Sequence, residues 1–162
     1  MYQLKTSQRV SADLSTVYNF FAKPENLAAI TPDWLDFQIL TPSPIPMREG
    51  AVIDYQIGLG PVPTRWRTMI TTFNPPQLFV DEQLNGPYSF WHHTHRFEET
   101  SDGTVLSDEV RYLLPMGILG RLAHEMVIKS QLRKIFSHRH LFIAEKFGGS
   151  LEDCQGPEIT RL

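Results

Sequence analysis

Apolar and polar positions along this chain change period three times, and each change marks an element. Residues 2–10 alternate, with Tyr2, Leu4 and Thr6 set against Gln3, Lys5 and Ser7, the period of a half-buried strand. From Leu14 the spacing turns helical. Leu14, Val17, Tyr18 and Phe21 share a side, Ser11 and Asp13 offer N-caps, and Pro24 closes the run, which predicts a helix over about 13–23. A second short helix is expected at about 24–30, stopping before Pro32. Strand-like patterning then resumes at about 36–41, 50–58, 64–74, 77–85, 88–99 and 104–114. The intervening turns are Pro42 to Gly50, Gly58 to Pro63, Asn74-Pro75-Pro76, Asn85-Gly86-Pro87 and Ser101-Asp102-Gly103. Connections this short demand an antiparallel meander.

The last element is a long helix at about 118–147. Its main stripe reads Leu122, Met126, Leu132, Phe136, Ile143 and Phe147, flanked by Ile128, Ile135 and Phe142, with Ser130, Lys134, Ser137 and His138 on the wet side. So wide an apolar surface should press along a sheet for most of its length, and Gly148-Gly149 ends it. The expected fold class is α+β: a curved antiparallel sheet of about six to seven strands wrapped on the C-terminal helix, with two short helices after the first strand. Residues 1–147 read as a single domain. Residues 148–162 carry no pattern and read as a flexible tail. Gly117 and Gly120, just ahead of the long helix, suit a hinge or a close approach at a cavity mouth.

Composition narrows the function classes. At 162 residues the chain is long enough for a real core, and 41% hydrophobic with 20% charged residues argues against disorder. A net charge of −3 disfavours nucleic acid as a partner. Arg121, Lys129, Arg133, Lys134 and Arg139 cluster on the last helix and read as a solvated face. A single cysteine, Cys154, permits no intrachain disulfide. The first ten residues lack the apolar core of a signal peptide, and no run approaches the roughly 18 apolar residues of a membrane span, so the expected location is cytoplasmic.

Candidate chemistry concentrates in Ser89 to Glu98. Trp91, His93, His95 and Phe97 share one face, and His92, Thr94, Arg96 and Glu98 the other. Two imidazoles between two aromatics suit a pocket wall: mostly apolar, with a few groups to orient a guest. Pairing this strand with 104–114 around the Ser101-Asp102-Gly103 turn sets His95 opposite Asp108, Phe97 opposite Leu106, His93 opposite Val110 and Trp91 opposite Tyr112. That register sorts apolar groups onto one face, whereas a shift by one residue mixes them. Trp66 points inward if Arg65 and Arg67 point out. Phe79 shares a face with Asp81, which is either a buried carboxylate needing a histidine or arginine, or an ordinary surface acid. Tyr55 and Ile57 also share a face that could reach a cavity.

The order of elements, with Pro76-Gln77-Leu78-Phe79, Asp81, Gln83, Gly86-Pro87, Trp91, His93, His95, Phe97, Asp108, Tyr112, Pro115, Gly117, Gly120, Phe136 and Arg139, resembles the small bacterial ligand-binding and polyketide cyclase/dehydrase-like members of the SRPBCC superfamily, also called START-like or helix-grip proteins. The resemblance covers about residues 1–147. It implies a hydrophobic cavity between sheet and C-terminal helix, and no agreed reaction.

Three readings of His93, His95 and Asp108 stay open: a satisfied polar network, a polar anchor for an apolar guest, or acid–base catalysis by a histidine assisted by Asp108. Trp66, Phe79, Trp91, Phe97, Val110 and Tyr112 would complete the binding wall. A protein-interaction module is the remaining alternative. No metal is expected. His93 and His95 could reach one ion with Asp108 as third ligand, but HExxH and CxxC are absent. His138 and His140 diverge on the helix, and His124 reads as a surface residue. No cofactor is expected either, since GxGxxG, the P-loop and Gly-x-Ser-x-Gly are all missing.

Overall fold

The computed structural model describes residues 1–58 and 63–162, so the connection expected between Gly58 and Pro63 lies outside the described residues. The first strand, β1 (Tyr2–Val10), buries Tyr2, Leu4 and Thr6 and leads into helix α1 (Leu14–Phe21). Asp13 caps α1 by accepting from the Thr16 backbone N–H at 2.9 Å. The expected second helix is a 3₁₀ segment, Pro24–Ile30, followed by a 3₁₀ turn at Asp33–Leu35.

The meander follows as β2 (Gln38–Ile39), β3 (Val52–Gly58), β4 (Pro63–Asn74), β5 (Leu78–Asn85), β6 (Phe90–Thr100) and β7 (Gly103–Leu113). All pairings are antiparallel. One sheet results, in the order β2-β3-β4-β5-β6-β7-β1-β8. Its eighth strand, β8 (Cys154–Arg161), lies in the segment expected to be a flexible tail. It pairs with β1, setting Ile159 beside Leu4, and Ile159 joins the core. The tail carries no clear alternation because, as an edge strand, it buries only Ile159 fully.

The long C-terminal helix is continuous in course but not in pitch: α2 (Gly117–Ala123), a π-helical turn (His124–Ile128), then α3 (Lys129–Phe147). Gly148, at φ 73°, supplies the left-handed residue that ends α3. Leu132, Phe136, Ile143 and Phe147 are buried as expected, but Leu122 and Met126 are 58% and 71% exposed. The helix therefore grips the sheet along α3 and through His124 and Ile128 of the π turn, while Leu122 and Met126 face solvent. At about 100° per residue, Leu122 and Met126 lie roughly 80° and 120° from Leu132, while Arg139 lies within about 20° of it. Arg139 accordingly points inward, against the solvated-face reading of the basic cluster. Phe136, four residues before His140, and Phe147, seven after it, carry that imidazole inward too, where it meets Thr6 Oγ1 at 2.7 Å.

His124 is also a correction. It is fully buried, stacked on Tyr2 with ring centroids 3.6 Å apart. The Tyr112 hydroxyl reaches its Nε2 at 2.8 Å, and its Nδ1 lies 3.1 Å from Glu125. A carboxylate can only accept, so Nδ1 carries the proton and the Tyr112 O–H donates to Nε2. Burial holds the His124 imidazole below its ordinary value.

Candidate functional site

The concave face of the sheet and the elements across from it leave a cavity of about 170 Å³. Strands β3 to β6 form one wall. The 3₁₀ segment at Pro24–Ile30 and the inward stripe of α3 form the other. Tyr55, Ile57, Trp66, Phe79, Trp91 and Phe136 make most of the surface apolar. Trp66 turns inward between exposed Arg65 and Arg67, as its alternation requires.

The polar part of the wall is built by three adjacent strands. The expected β6–β7 register holds at every position: His95 faces Asp108, Phe97 faces Leu106, His93 faces Val110 and Trp91 faces Tyr112. On the other side of β6, β5 sets Asp81 opposite His93 and Phe79 opposite His95. Asp81 thus points inward beside the histidines. His95 Nε2 meets Asp81 Oδ2 at 3.0 Å, and its Nδ1 lies 2.8 Å from Asp108 Oδ1. His93 donates Nε2–H to Asp108 Oδ1 at 2.8 Å, and its Nδ1 is 3.5 Å from Asp81 Oδ2. The two rings lie 3.8 Å apart. From α3, Arg139 Nη1 comes within 3.4 Å of Asp108.

The charges follow from these contacts. Burial alone would lower the His95 imidazole, but Asp108 and Asp81 against its two nitrogens hold it above its ordinary value. Burial and the neighbouring His95 charge push His93 below its ordinary value, against the pull of both carboxylates. Burial opposes ionisation of Asp108, yet Arg139 and the two histidines keep it well below the usual carboxylate range. Asp81 is likewise held down by His93, His95 and Arg139 despite its burial. With His95 charged and His93 neutral, two carboxylates face an imidazolium and a guanidinium, and the cluster is neutral as a whole.

The nine residues expected to bind a guest divide into two layers. Trp66, Phe79, Trp91, His93 and His95 border the cavity. Phe97, Asp108, Val110 and Tyr112 do not border it: Phe97 packs against Tyr18 and Phe79, and Val110 and Tyr112 pack with Leu4 and Leu132. The concave sheet brings β3 to β6 to the open space and gives β7 to the packed core, while Phe97, toward the end of β6, is covered by Tyr18 and Phe21 of α1. Sequence reasoning missed Arg139 as a site residue, although its place seven residues after Leu132 and four before Ile143 put it on the buried stripe. Among the described residues, Trp66 Nε1 and Arg139 Nε are buried without a partner.

An antiparallel sheet gripping one long helix around a mostly apolar cavity defines a helix-grip protein. The family model for polyketide cyclase/dehydrase and lipid transport matches residues 10–137, and the chain belongs to that family, within the SRPBCC superfamily. Solved structures share the fold at low identity. Protein CV1439 from Chromobacterium violaceum is 12% identical, with a TM-score of 0.69, covering 93% of this chain and 100% of its own. Protein TTHA0849 from Thermus thermophilus is 16% identical, with a TM-score of 0.64, covering 88% and 97%. A norcoclaurine synthase point mutant from Thalictrum, in complex with a transition-state analogue, is 12% identical, with a TM-score of 0.62, covering 90% and 97%. No curated protein matches the chain. Among the described residues, no helix is long and apolar enough to cross a membrane.

Proposed function

We propose that this protein binds a small hydrophobic or amphipathic molecule, a lipid, polyketide or isoprenoid, in the sheet–helix cavity, in the cytoplasm. One observation carries the reading: a mostly apolar cavity with a charged cluster, Asp81, His93, His95 and Arg139, in its sheet-and-α3 wall. An apolar cavity of about 150 Å³ accepts a benzene-sized ring. A cavity of about 170 Å³ therefore has room for a ring-sized body. The cluster would hold the polar end of the guest. Arg139 Nε and Trp66 Nε1, both without a partner among the described residues, favour a guest that presents hydrogen-bond acceptors to the cavity wall.

The test is native mass spectrometry of the protein purified from its own cells, followed by titration of any recovered guest. A co-purifying small mass, lost or weakened at least tenfold by Ile135→Trp, supports the reading, because Ile135 borders the cavity and a larger side chain would fill it. Binding unchanged by that substitution overturns it.

The adjacent imidazoles and carboxylates favour a second reading, a cyclase- or dehydratase-type enzyme in which His95, or His93 assisted by Asp108, moves a proton. That reading expects His95→Ala to abolish turnover of a bound substrate while its affinity stays nearly intact. Equal loss of both points to binding alone.

A further inference from the structure

We propose that Asp81, His93 and His95 form a site for one divalent transition-metal ion at the polar end of the cavity. The three side chains each offer a ligand atom, all within 4.8 Å of one another. Asp81 Oδ2 lies 3.5 Å from His93 Nδ1 and 3.0 Å from His95 Nε2. An ion with bonds of about 2.1 Å sets neighbouring ligands about 3.0 Å apart in octahedral geometry and about 3.4 Å apart in tetrahedral geometry. The two carboxylate–imidazole separations fall near those spacings, and the imidazole ligand atoms lie within 4.8 Å of each other, so a small ring adjustment closes the set.

The surroundings are those a metal site needs. A ligating imidazole holds its orientation by giving its other ring N–H to a carboxylate. Asp108 Oδ1 stands 2.8 Å from His93 Nε2 and 2.8 Å from His95 Nδ1, the nitrogens on the far side of both rings. One carboxylate thereby selects both tautomers and turns His93 Nδ1 and His95 Nε2 toward Asp81. Arg139 braces Asp108 from α3. All three ligand residues border the cavity and Asp108 does not, so the ion's open position faces the guest. Three protein ligands with an open position are the pattern of a reactive rather than a structural site. Binding displaces the His95 Nε2 proton. With Asp108 balanced by Arg139, the ion and Asp81 leave one net positive charge, which favours an anionic or strongly accepting oxygen on the guest. Two imidazoles and one carboxylate suit zinc or ferrous iron. In this proposal the third ligand is Asp81 rather than Asp108, where the sequence alone led to the expectation of no metal.

Zinc chloride is the probe. The full chain is stripped with chelator and titrated by calorimetry, and its zinc content is measured after gel filtration. The expected result is one zinc per chain, retained through the column, with a wild-type melting temperature that rises with zinc and falls again on chelation. Asp81→Asn and His95→Gln should each abolish stoichiometric uptake. Asp108→Asn should weaken it about 10- to 100-fold. His92→Gln and His138→Gln should leave it unchanged. Failure of the wild-type chain to take up zinc stoichiometrically overturns the proposal, as does uptake that survives Asp81→Asn. No organic guest is present in these measurements, so their failure leaves the guest-binding reading to its own test.

Discussion

Asp108 touches three groups at once, His93, His95 and Arg139, and each contact acts on the other two. Its ionised carboxyl stabilises a proton on His95, and Arg139 keeps it ionised. Removing one partner from such a buried set leaves an uncompensated charge, which costs more than the set contributes when whole. Arg139→Leu is therefore expected to lower the unfolding free energy by about 3–5 kcal/mol, measured by urea denaturation near neutral pH. Adding Asp108→Asn to that variant should recover part of the loss, since the carboxylate left unpaired is then gone. At this scale the sequence was readable where one hairpin was involved. The pairing of His95 with Asp108 follows from the tight Ser101-Asp102 turn, which sets Thr100 opposite Gly103, and from the sorting of apolar side chains. Asp81 was undecidable, because its strand reads as half-buried on either face until β6 is laid beside it.

Among the elements, the C-terminal helix divides at its π turn. Alpha-helical α3 lays Leu132, Phe136, Arg139 and Ile143 on the sheet, while α2 holds Ile118 and Leu122, and the π turn Met126, in solvent. Pro115 and Gly120 shape this departure, since a Cβ on Gly120 would strike the Pro115 carbonyl oxygen. Leu122→Glu should change stability by no more than about 0.5 kcal/mol, the range of ordinary surface positions. Leu132→Ala should cost about 2–5 kcal/mol through the cavity it leaves. Comparing the two denaturation curves tests where the grip begins. A single stripe drawn from 122 to 147 joins residues that lie about 80° and 120° off the Leu132 line even at regular α-helical pitch. It also counts any apolar residue as buried, whereas Arg139 and His140 are carried inward by their spacing.

The whole molecule closes its sheet with the last segment of chain. Strand β8 covers the free edge of β1, which would otherwise present a row of unpaired backbone groups. Ending the chain after Gly149 should lower the melting temperature and cause concentration-dependent association, read by thermal unfolding and sedimentation velocity. An unchanged melting temperature would mean that β8 contributes nothing to the fold. By itself the sequence determined the meander, the positions of nearly all its strands, the β6–β7 register and the inward turn of Trp66, Trp91, His93 and His95. All of these depend on local period and on turns of a few residues. Only the tertiary structure decided that Asp81 and Arg139 complete the cluster, that His124 is buried, that the tail is a strand, and that Phe97, Val110 and Tyr112 lie behind the cavity wall. Those outcomes depend on sheet curvature and on contacts between segments far apart in the chain, and neither leaves a periodic trace in the residues that make them.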